Sequence, residues 1–154
     1  NLAANRNGPI LNSIYHKDYK GMLKGYIRDW RQESWSEQSV NKLFAIKPVT
    51  DEWSSCFQEI RQHEVALCRL RIGHTNATHK HLMEGSPPPQ CDRCHIPLTV
   101  SHLLIECPKY LRQRTKFFNP PPLELKSLLS DFDQSFYQTK FFPFLEETGL
   151  INII

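Results

Sequence analysis

The feature that most constrains this chain is a string of cysteine and histidine residues between positions 91 and 107. Cys91 and Cys94 are separated by two residues, His102 follows after seven more, and Cys107 after another four. Zinc prefers thiolate and imidazole ligands, and a Cys-x2-Cys turn presents two sulfurs about 2.3 Å from one ion. The string Cys-x2-Cys-x7-His-x4-Cys therefore predicts a four-ligand zinc site.

A site of this kind gives the metal a structural role. Four protein ligands leave no coordination position for water, whereas catalytic zinc normally keeps one position for water or substrate. We therefore expect Zn²⁺ as a structural cofactor, held by the ligands Cys91, Cys94, His102 and Cys107.

Other interpretations of these residues are open. The cysteines can be incidental surface thiols, with His102 a hydrogen-bonded histidine on the polar side of a short helix. His79, His81 and His95 lie close enough in sequence to compete as ligands, although His95 directly follows Cys94 and should point outward from the turn. A disulfide framework fits less well, because the five cysteines are an odd number and no signal peptide is apparent.

The two remaining cysteines, Cys56 and Cys68, have no partner at ligand spacing. We interpret both as small buried apolar residues.

The bulk composition sets broad limits. The 154 residues are enough for one ordinary core or two small ones, and 40% of them are hydrophobic. The net charge of +3 is only mildly basic, so charge alone does not indicate nucleic acid. No apolar run approaches the length of a membrane span, so we expect no membrane partner. Because the chain starts at Asn1, we expect it to begin inside a longer reading frame or a processed product.

Apolar spacing predicts two main helices. Between positions 18 and 35, apolar residues recur every three or four positions with lysines and arginines between them, which predicts a basic amphipathic helix. Hydroxyl and acidic residues at 50–55 are expected to cap a second helix, which ends at Gly73 and is predicted to form the core. Residues 36–48, between the two, are predicted to be extended.

The cysteine region predicts two further short helices. Residues 99–101 supply a hydroxyl cap for a helix that carries His102 in its first turn and Cys107 at its end. Pro108 suits the first position of the next helix. This arrangement leaves the leucines after His102 free to pack on the helical body.

These patterns predict a mainly α fold, a small helical domain with a zinc-stabilised loop and little or no β-sheet. We expect residues 1–15 to be a linker or the cut end of an upstream domain, and 16–86 to form the helical domain. The zinc-binding loop and its following helix occupy 87–118, and 119–154 form a C-terminal helical segment that packs on the core. The apolar end, 150–154, should dock on this core or on a partner.

The distribution of cations points to nucleic acid more than the net charge does. Lysines and arginines are densest between positions 109 and 116, directly after the cysteine string, and a second polar cluster surrounds Gly73. Such groups can donate hydrogen bonds to phosphate oxygens, although a solvated helix face is the alternative for each of them. The candidate phosphate-binding residues are Arg93, Lys109, Arg112, Arg114, Arg71, His74 and Lys80.

Several phrases of the sequence taken together carry a family resemblance. They read WRQESW at 30–35, NKL at 41–43, IKP at 46–48, RLRIGHT at 69–75, PPP at 87–89, CDRC at 91–94, PLTV at 97–100, HLLIECP at 102–108 and FLEETGL at 144–150. The chain thereby resembles the C-terminal region of polyproteins from Jockey-like non-LTR retrotransposons, over nearly its whole length.

The resemblance implies a position and a set of partners. In that family the segment follows a reverse transcriptase and an RNase H domain and carries a zinc-knuckle-like cluster. By this resemblance, residues 1–3 look like the last part of the RNase H domain. RNA or nascent DNA and the upstream domains are the expected partners, with no small-molecule substrate, in an intracellular protein of the cytoplasm, the nucleus or both.

No catalytic residue can be assigned in this segment. RNase H cleavage and polymerisation both need sets of carboxylates that hold divalent ions, and Asp18, Asp29, Asp51 and Glu52 are scattered along the chain. A nucleophilic Cys-His enzyme is the remaining catalytic alternative, but the clustered cysteines are better explained as ligands. We therefore expect a non-enzymatic module, either one that binds nucleic acid or one that docks on the upstream domains as a zinc-stabilised scaffold.

Overall fold

The computed structural model describes residues 16–154, except for the side chains of residues 16–18 and of Cys56. The expectations for residues 1–15 and for the burial of Cys56 lie outside this part. Within it, most residues are helical and no β-sheet forms, which confirms the predicted mainly α fold. Its extended pairing is limited to an isolated antiparallel bridge between Gln90 and Pro97.

The helices are short apart from the first. In chain order they are α1 His16–Ser36, α2 Lys42–Ile46, α3 Arg61–Ile72, α4 Asn76–Glu84, α5 Leu111–Phe117, α6 Lys126–Leu129, α7 Gln134–Phe136 and α8 Phe142–Glu147. Two π-helical turns cover His102–Glu106 and Tyr137–Phe141, and 3₁₀ turns cover Ser54–Cys56, Pro108–Tyr110 and Leu150–Asn152. Helices this short are marginal alone in water, so tertiary packing must hold them. Across the described residues, none of the helices combines the length and apolar character that crossing a bilayer requires.

The first helix forms as predicted, but its apolar face does not cover the core. Tyr26 and Trp30 are more than half exposed, and the other large apolar residues of this face are exposed as well. The helix is fastened near its C-terminal end, where the Trp35 indole donates to the Lys47 carbonyl at 2.9 Å and the Gln32 amide donates to the Pro48 carbonyl at 2.8 Å. The described part of the chain therefore leaves the rest of the α1 apolar face without a partner.

The prediction that residues 36–48 are extended is wrong in part, because Lys42–Ile46 form the short helix α2. The Asn41 side chain accepts a hydrogen bond from the Leu43 amide at 2.9 Å and so caps the short helix α2. Asparagine favours this position because its carbonyl oxygen satisfies an unpaired amide of the first turn. Apolar alternation over a few residues did not reveal this local bond.

Helix α3 is the core helix that the sequence predicted, although it begins later. Its stop is confirmed, since Gly73 has a left-handed φ of 82° and its amide donates to the carbonyls of Arg69 and Leu70. Leu67 and Leu70 are buried. The prediction that Cys68 is buried is wrong, because this residue lies on the exposed side of the helix.

A buried arginine joins α3 to three other segments. Arg71 is 6% exposed, and its guanidinium donates to the Leu129 carbonyl at 2.9 Å, the Ser55 hydroxyl at 2.7 Å and the Tyr137 hydroxyl at 3.1 Å. It also lies 3.7 Å over the Trp53 ring. The prediction that Arg71 contacts phosphate is therefore wrong, because its charge is directed into the core.

Asp131 completes this network from the opposite side. Its carboxylate accepts from the Ser54 amide at 2.9 Å and from the Ser55 amide and hydroxyl at 2.9 and 2.6 Å. Partial burial raises the pKa of Asp131, but the hydrogen bonds from the two serines outweigh it and hold this pKa well below its usual range. Ser55 thus links a carboxylate to a buried cation.

The C-terminal end packs on the chain's own core. Leu150 and Ile154 are buried. The amides of Asn76 and Ala77, at the start of α4, donate to the Ile154 and Ile153 carbonyls at 3.2 and 2.9 Å. Of the two destinations that the sequence allowed for this apolar segment, the structure shows the core.

We predict that Asp131→Asn destabilises the fold in a pH-dependent way. After discounting for solvent screening of this exposed carboxylate, the loss at pH 7 should be about 1 kcal/mol, because an amide nitrogen cannot accept from the serine donors. A depressed folded pKa contributes stability above the unfolded value near 4 and loses it as pH falls toward the folded value. The difference between variant and wild type, measured by urea unfolding, should shrink below about pH 4.

Asp29→Asn is the matched control for this variant, because Asp29 is an exposed aspartate of α1 whose carboxylate lies 3.5 Å from the Arg28 guanidinium. It should change the unfolding free energy by less than about 0.5 kcal/mol at every pH. A difference between Asp131→Asn and wild type that stays constant down to pH 3 would contradict the assigned role of the carboxylate.

Candidate metal centre

The first two cysteines lie on a tight loop that folds back on itself. The Cys91 amide donates to the Ile96 carbonyl at 2.8 Å, and the His95 amide donates to the Cys91 carbonyl at 2.8 Å. His95 takes a left-handed φ of 56°, which lets the chain reverse direction. Its side chain is exposed and lies outside the cluster of possible ligands, as expected for a residue directly after Cys94.

The other two ligands lie at the ends of one π-helical turn. The Thr99 hydroxyl accepts from the His102 amide at 3.0 Å, which confirms the predicted hydroxyl cap. The Cys107 amide donates to the His102 carbonyl at 2.8 Å, a bond between residues five apart that brings the two side chains to one side. Leu103 and Leu104 are buried and fix this turn on the core.

The four predicted ligands come together in space. The ligand atoms of Cys91, Cys94, His102 and Cys107 all lie within 4.8 Å of one another. The sulfurs of Cys91 and Cys107 are 3.7 Å apart. Two thiolates on one tetrahedral zinc, each at about 2.3 Å, would be about 3.8 Å apart. The cluster therefore has the dimensions of a tetrahedral metal site and can bind a metal ion.

His102 gives a second sign that an ion belongs here. The residue is 2% exposed, and neither ring nitrogen has a hydrogen-bond partner among the described residues. A buried imidazole left unsatisfied on both nitrogens is costly, and such groups in native proteins generally have an explanation. Coordination of one ring nitrogen to a metal ion would supply that explanation. Glu106, whose carboxylate lies 3.8 Å from the His102 Nδ1, is placed as an outer partner of the ring.

The thiols influence one another strongly. The pKa of Cys91 is lowered to about 6, chiefly by the neighbouring imidazole of His102, with help from the backbone amides of Arg93 and Cys94 and against the effect of burial. The pKa of Cys94 is raised to about 11 by burial and by the neighbouring Cys91 and Cys107. One thiolate thus forms readily while a second is opposed, and a divalent cation would relieve this repulsion.

Arg114 belongs to this centre and not to the surface. It is 2% exposed, and its guanidinium donates to the Cys107 carbonyl at 2.5 Å. Burial lowers the pKa of Arg114, and Cys107 opposes that shift. The prediction that Arg114 contacts phosphate is therefore wrong. With a divalent ion bound, three thiolates would leave a net negative charge, which this buried cation would complement.

The remaining candidate phosphate ligands lie on the surface. Arg93, Lys109 and Arg112 are exposed, and none of the three forms an ion pair within the described part of the chain. Lys80 is exposed but lies 3.0 Å from the Glu84 carboxylate. His74 is exposed and packs against His79, with ring centroids 4.0 Å apart.

Sequence reasoning missed the partners that surround the ligands. Glu106 follows His102 by four residues, a spacing that places two side chains on one helical face and that offered a signal. Arg114 offered none, because its neighbours Arg112 and Lys116 have the same charge and are exposed. Only the packing of α5 distinguishes it.

Comparisons with protein-family models, with curated proteins and with solved structures find no match for this chain.

We predict that metal binding and folding are coupled through the four ligands. Cys107→Ser should lower the bound metal well below the one ion per chain expected for wild type, and chelation of wild type should lower its melting temperature, because binding free energy at such a site is folding free energy. Metal content by mass spectrometry and thermal unfolding by circular dichroism check both. Cys68→Ser, on an exposed face, should change neither quantity, and a chelated protein that melts like the untreated one would contradict the coupling.

We predict that two neighbouring arginines of α5 respond differently to substitution. Arg114→Met should cost about 1–3 kcal/mol, because the Cys107 carbonyl loses the charged one of its two donors and keeps only the Tyr110 amide at 3.2 Å. Arg112→Met should stay within about 0.5 kcal/mol, since its side chain is exposed. Urea unfolding of the metal-loaded proteins measures both, and equal effects of the two substitutions would contradict the buried role of Arg114.

Proposed function

We propose that this chain is a zinc-binding, nucleic-acid-binding module of a non-LTR retrotransposon polyprotein, and that it contacts RNA or nascent DNA. Zinc is the proposed metal because three sulfurs and one imidazole nitrogen form a soft ligand set of the kind found in its structural sites. Cys91, Cys94, His102 and Cys107 hold the ion, which fastens the loop to the helical body. The proposal assigns no catalytic residue.

The nucleic-acid part rests on the position of three cations that form no ion pair with the described residues. Arg93 lies between the two cysteines of the loop, and Lys109 and Arg112 follow the last ligand closely in sequence. All three are exposed. Exposed cations without carboxylate partners are available to phosphate oxygens, and release of counterions from the phosphates would drive binding. A metal-braced loop would hold the first of them in a fixed position.

The test is fluorescence anisotropy of a labelled single-stranded RNA across a salt series. Wild type should bind at low salt and weaken steeply as salt rises. Arg93→Glu with Arg112→Glu should reduce affinity at least about tenfold and lower the salt slope by about two, because two phosphate contacts are removed. Lys126→Glu with Lys140→Glu makes the same change in net charge elsewhere on the surface.

If the control pair weakens binding as much as the first pair, the protein attracts nucleic acid through its overall charge alone and the assigned surface is wrong. If wild type does not bind at low salt, the nucleic-acid proposal fails. Metal content should be measured on every variant, so that a lost ion is not mistaken for a lost phosphate contact.

The exposed apolar face of α1 favours a second candidate function, docking on the upstream RNase H or reverse transcriptase domains. Six large apolar residues of this helix are exposed, whereas the C-terminal apolar residues that sequence reasoning favoured for docking are largely occupied by the core. Basic residues continue along the edge of this face, so the partner surface should be apolar with an acidic border.

The docking function predicts that Tyr26→Ser with Trp30→Ser abolishes binding to an RNase H fragment of the same polyprotein, measured by calorimetry. Both side chains are more than half exposed in the described part of the chain, so the fold should be unaffected. Gln138→Ala with Thr139→Ala, two exposed residues of the C-terminal region, should bind as wild type does. Unchanged affinity of the serine variant would exclude α1 as the docking surface.

A further inference from the structure

A cavity lies between the helical body and the segment that leads into the metal centre. Its volume is about 310 Å³. The apolar wall is formed by Ile46, Leu70, Leu98, Val100 and Leu125, and Lys42 and His79 also line the cavity. One side of the wall therefore belongs to the stretch just before His102, and the other belongs to α2 and α3. The cavity combines apolar surface with an ammonium group and an imidazole.

The Lys42 side chain reaches the cavity by passing close to Gly73. Its aliphatic stem lies over Gly73, where an added Cβ would meet the Lys42 Cδ at 3.1 Å and the Nζ at 3.8 Å. Glycine at this position both permits the left-handed φ and leaves room for the lysine. The ammonium group forms no hydrogen bond or ion pair with the described residues, so its charge is not balanced by a carboxylate.

His79 lies in the same positive environment. Burial lowers the pKa of His79, and His74, Lys42 and His81 lower it further. The centroid of its ring is 4.0 Å from that of His74 and 6.4 Å from that of His81. No carboxylate of the described chain pairs with any of these four residues. A phosphate placed here would accept from the Lys42 ammonium and from the His79 imidazole, and its negative charge would oppose the lowering of the His79 pKa.

We propose that this cavity binds one nucleotide, with its base against the apolar wall and its phosphate on Lys42 and His79. The inference rests on the proposed nucleic-acid function and names a specific site for it. The volume is at the lower end of the range for small-molecule sites and suits a single nucleotide. A base offers a flat apolar face to the wall, and a phosphate accepts from both an ammonium and an imidazole.

The row of imidazoles beside Lys42 favours a nucleotide over an acidic protein segment. An acidic protein segment that placed one carboxylate and one apolar side chain here would balance the charge of Lys42 but would leave the imidazoles without a partner. Imidazole groups continue outward from His79 to His74 and His81, and Lys80, which pairs with Glu84, lies on the same helix as His79. A chain of phosphates can follow such a line from one residue to the next. Single-stranded RNA or DNA therefore fits the site and its surroundings.

The experiment titrates the metal-loaded protein with AMP, ribose 5-phosphate and adenosine, and follows amide signals by NMR. AMP should shift the signals of Leu98, Val100 and His79, and it should bind more tightly than either of its two parts. Lys42→Gln should weaken AMP about tenfold, because a hydrogen bond between charged groups is lost. Leu125→Trp, which fills the half-buried side of the wall, should weaken AMP and adenosine alike.

Two matched controls separate the cavity from general effects. Lys126→Gln removes an exposed lysine beside the wall residue, and Leu123→Trp adds the same bulk at an exposed position. Both should bind AMP as wild type does. Lys42 is itself exposed, so its substitution should leave metal content and helicity unchanged.

The outcomes distinguish this inference from the proposed function. If a single-stranded oligonucleotide binds but AMP shifts no cavity signal, and Lys42→Gln and Leu125→Trp bind that oligonucleotide like wild type, the cavity inference fails and the proposed function stands. If AMP binds in the cavity and the oligonucleotide does not bind, the site is confirmed and the nucleic-acid function fails. Equal affinity for ribose 5-phosphate and AMP would overturn the base-binding part, and no binding of either AMP or the oligonucleotide would overturn both proposals.

Discussion

A guanidinium withdrawn from water holds the helical body together. Removing the charge of Arg71 from solvent is costly, and the cost is offset only when its donors meet acceptors of good geometry. Those acceptors come from the 3₁₀ turn at Ser55, from the end of α6 and from Tyr137, while Trp53 covers the flat face of the group. All these segments must be in place together, so short helices that could not form alone are stabilised as one unit.

The metal centre is the counterpart of this network in the loop. Cys91 and Cys94 come from a turn with almost no regular structure, while His102 and Cys107 come from a helical turn anchored by leucines. One ion can join the turn to the helical turn. Arg114 adds a positive charge at the Cys107 carbonyl. The cavity lined by Lys42 and His79 lies between the two cross-linked regions, because its wall takes Leu70 from α3 and Val100 from the metal loop.

The sequence was sufficient to predict structure where a residue type at a given spacing has one dominant structural explanation. The ligand spacing predicted four residues that indeed lie together, the hydroxyl residues within 99–101 predicted a cap that Thr99 provides, and Gly73 predicted a helix end. It was not sufficient where burial decides the role. Arg71 and Arg114 look like the exposed arginines beside them, and only the packing of distant segments withdraws them from the surface. The short helix α2 was not predicted, because a single side-chain cap defines it and no periodic pattern does.

Helix α1 should unfold locally before the rest of the protein does. Its contacts with the body lie near Gln32 and Trp35, and at about 1.5 Å per residue its first described turns extend roughly 20 Å beyond that attachment. Two glycines in this stretch, Gly21 and Gly25, each weaken the helix by about 1 kcal/mol relative to alanine. Amide hydrogens around Met22 should therefore exchange with solvent by local fraying, while those near Trp35 exchange only when the body unfolds. Anything that covers the α1 apolar face would erase this gradient, so a slowing of exchange along the helix would report its engagement directly.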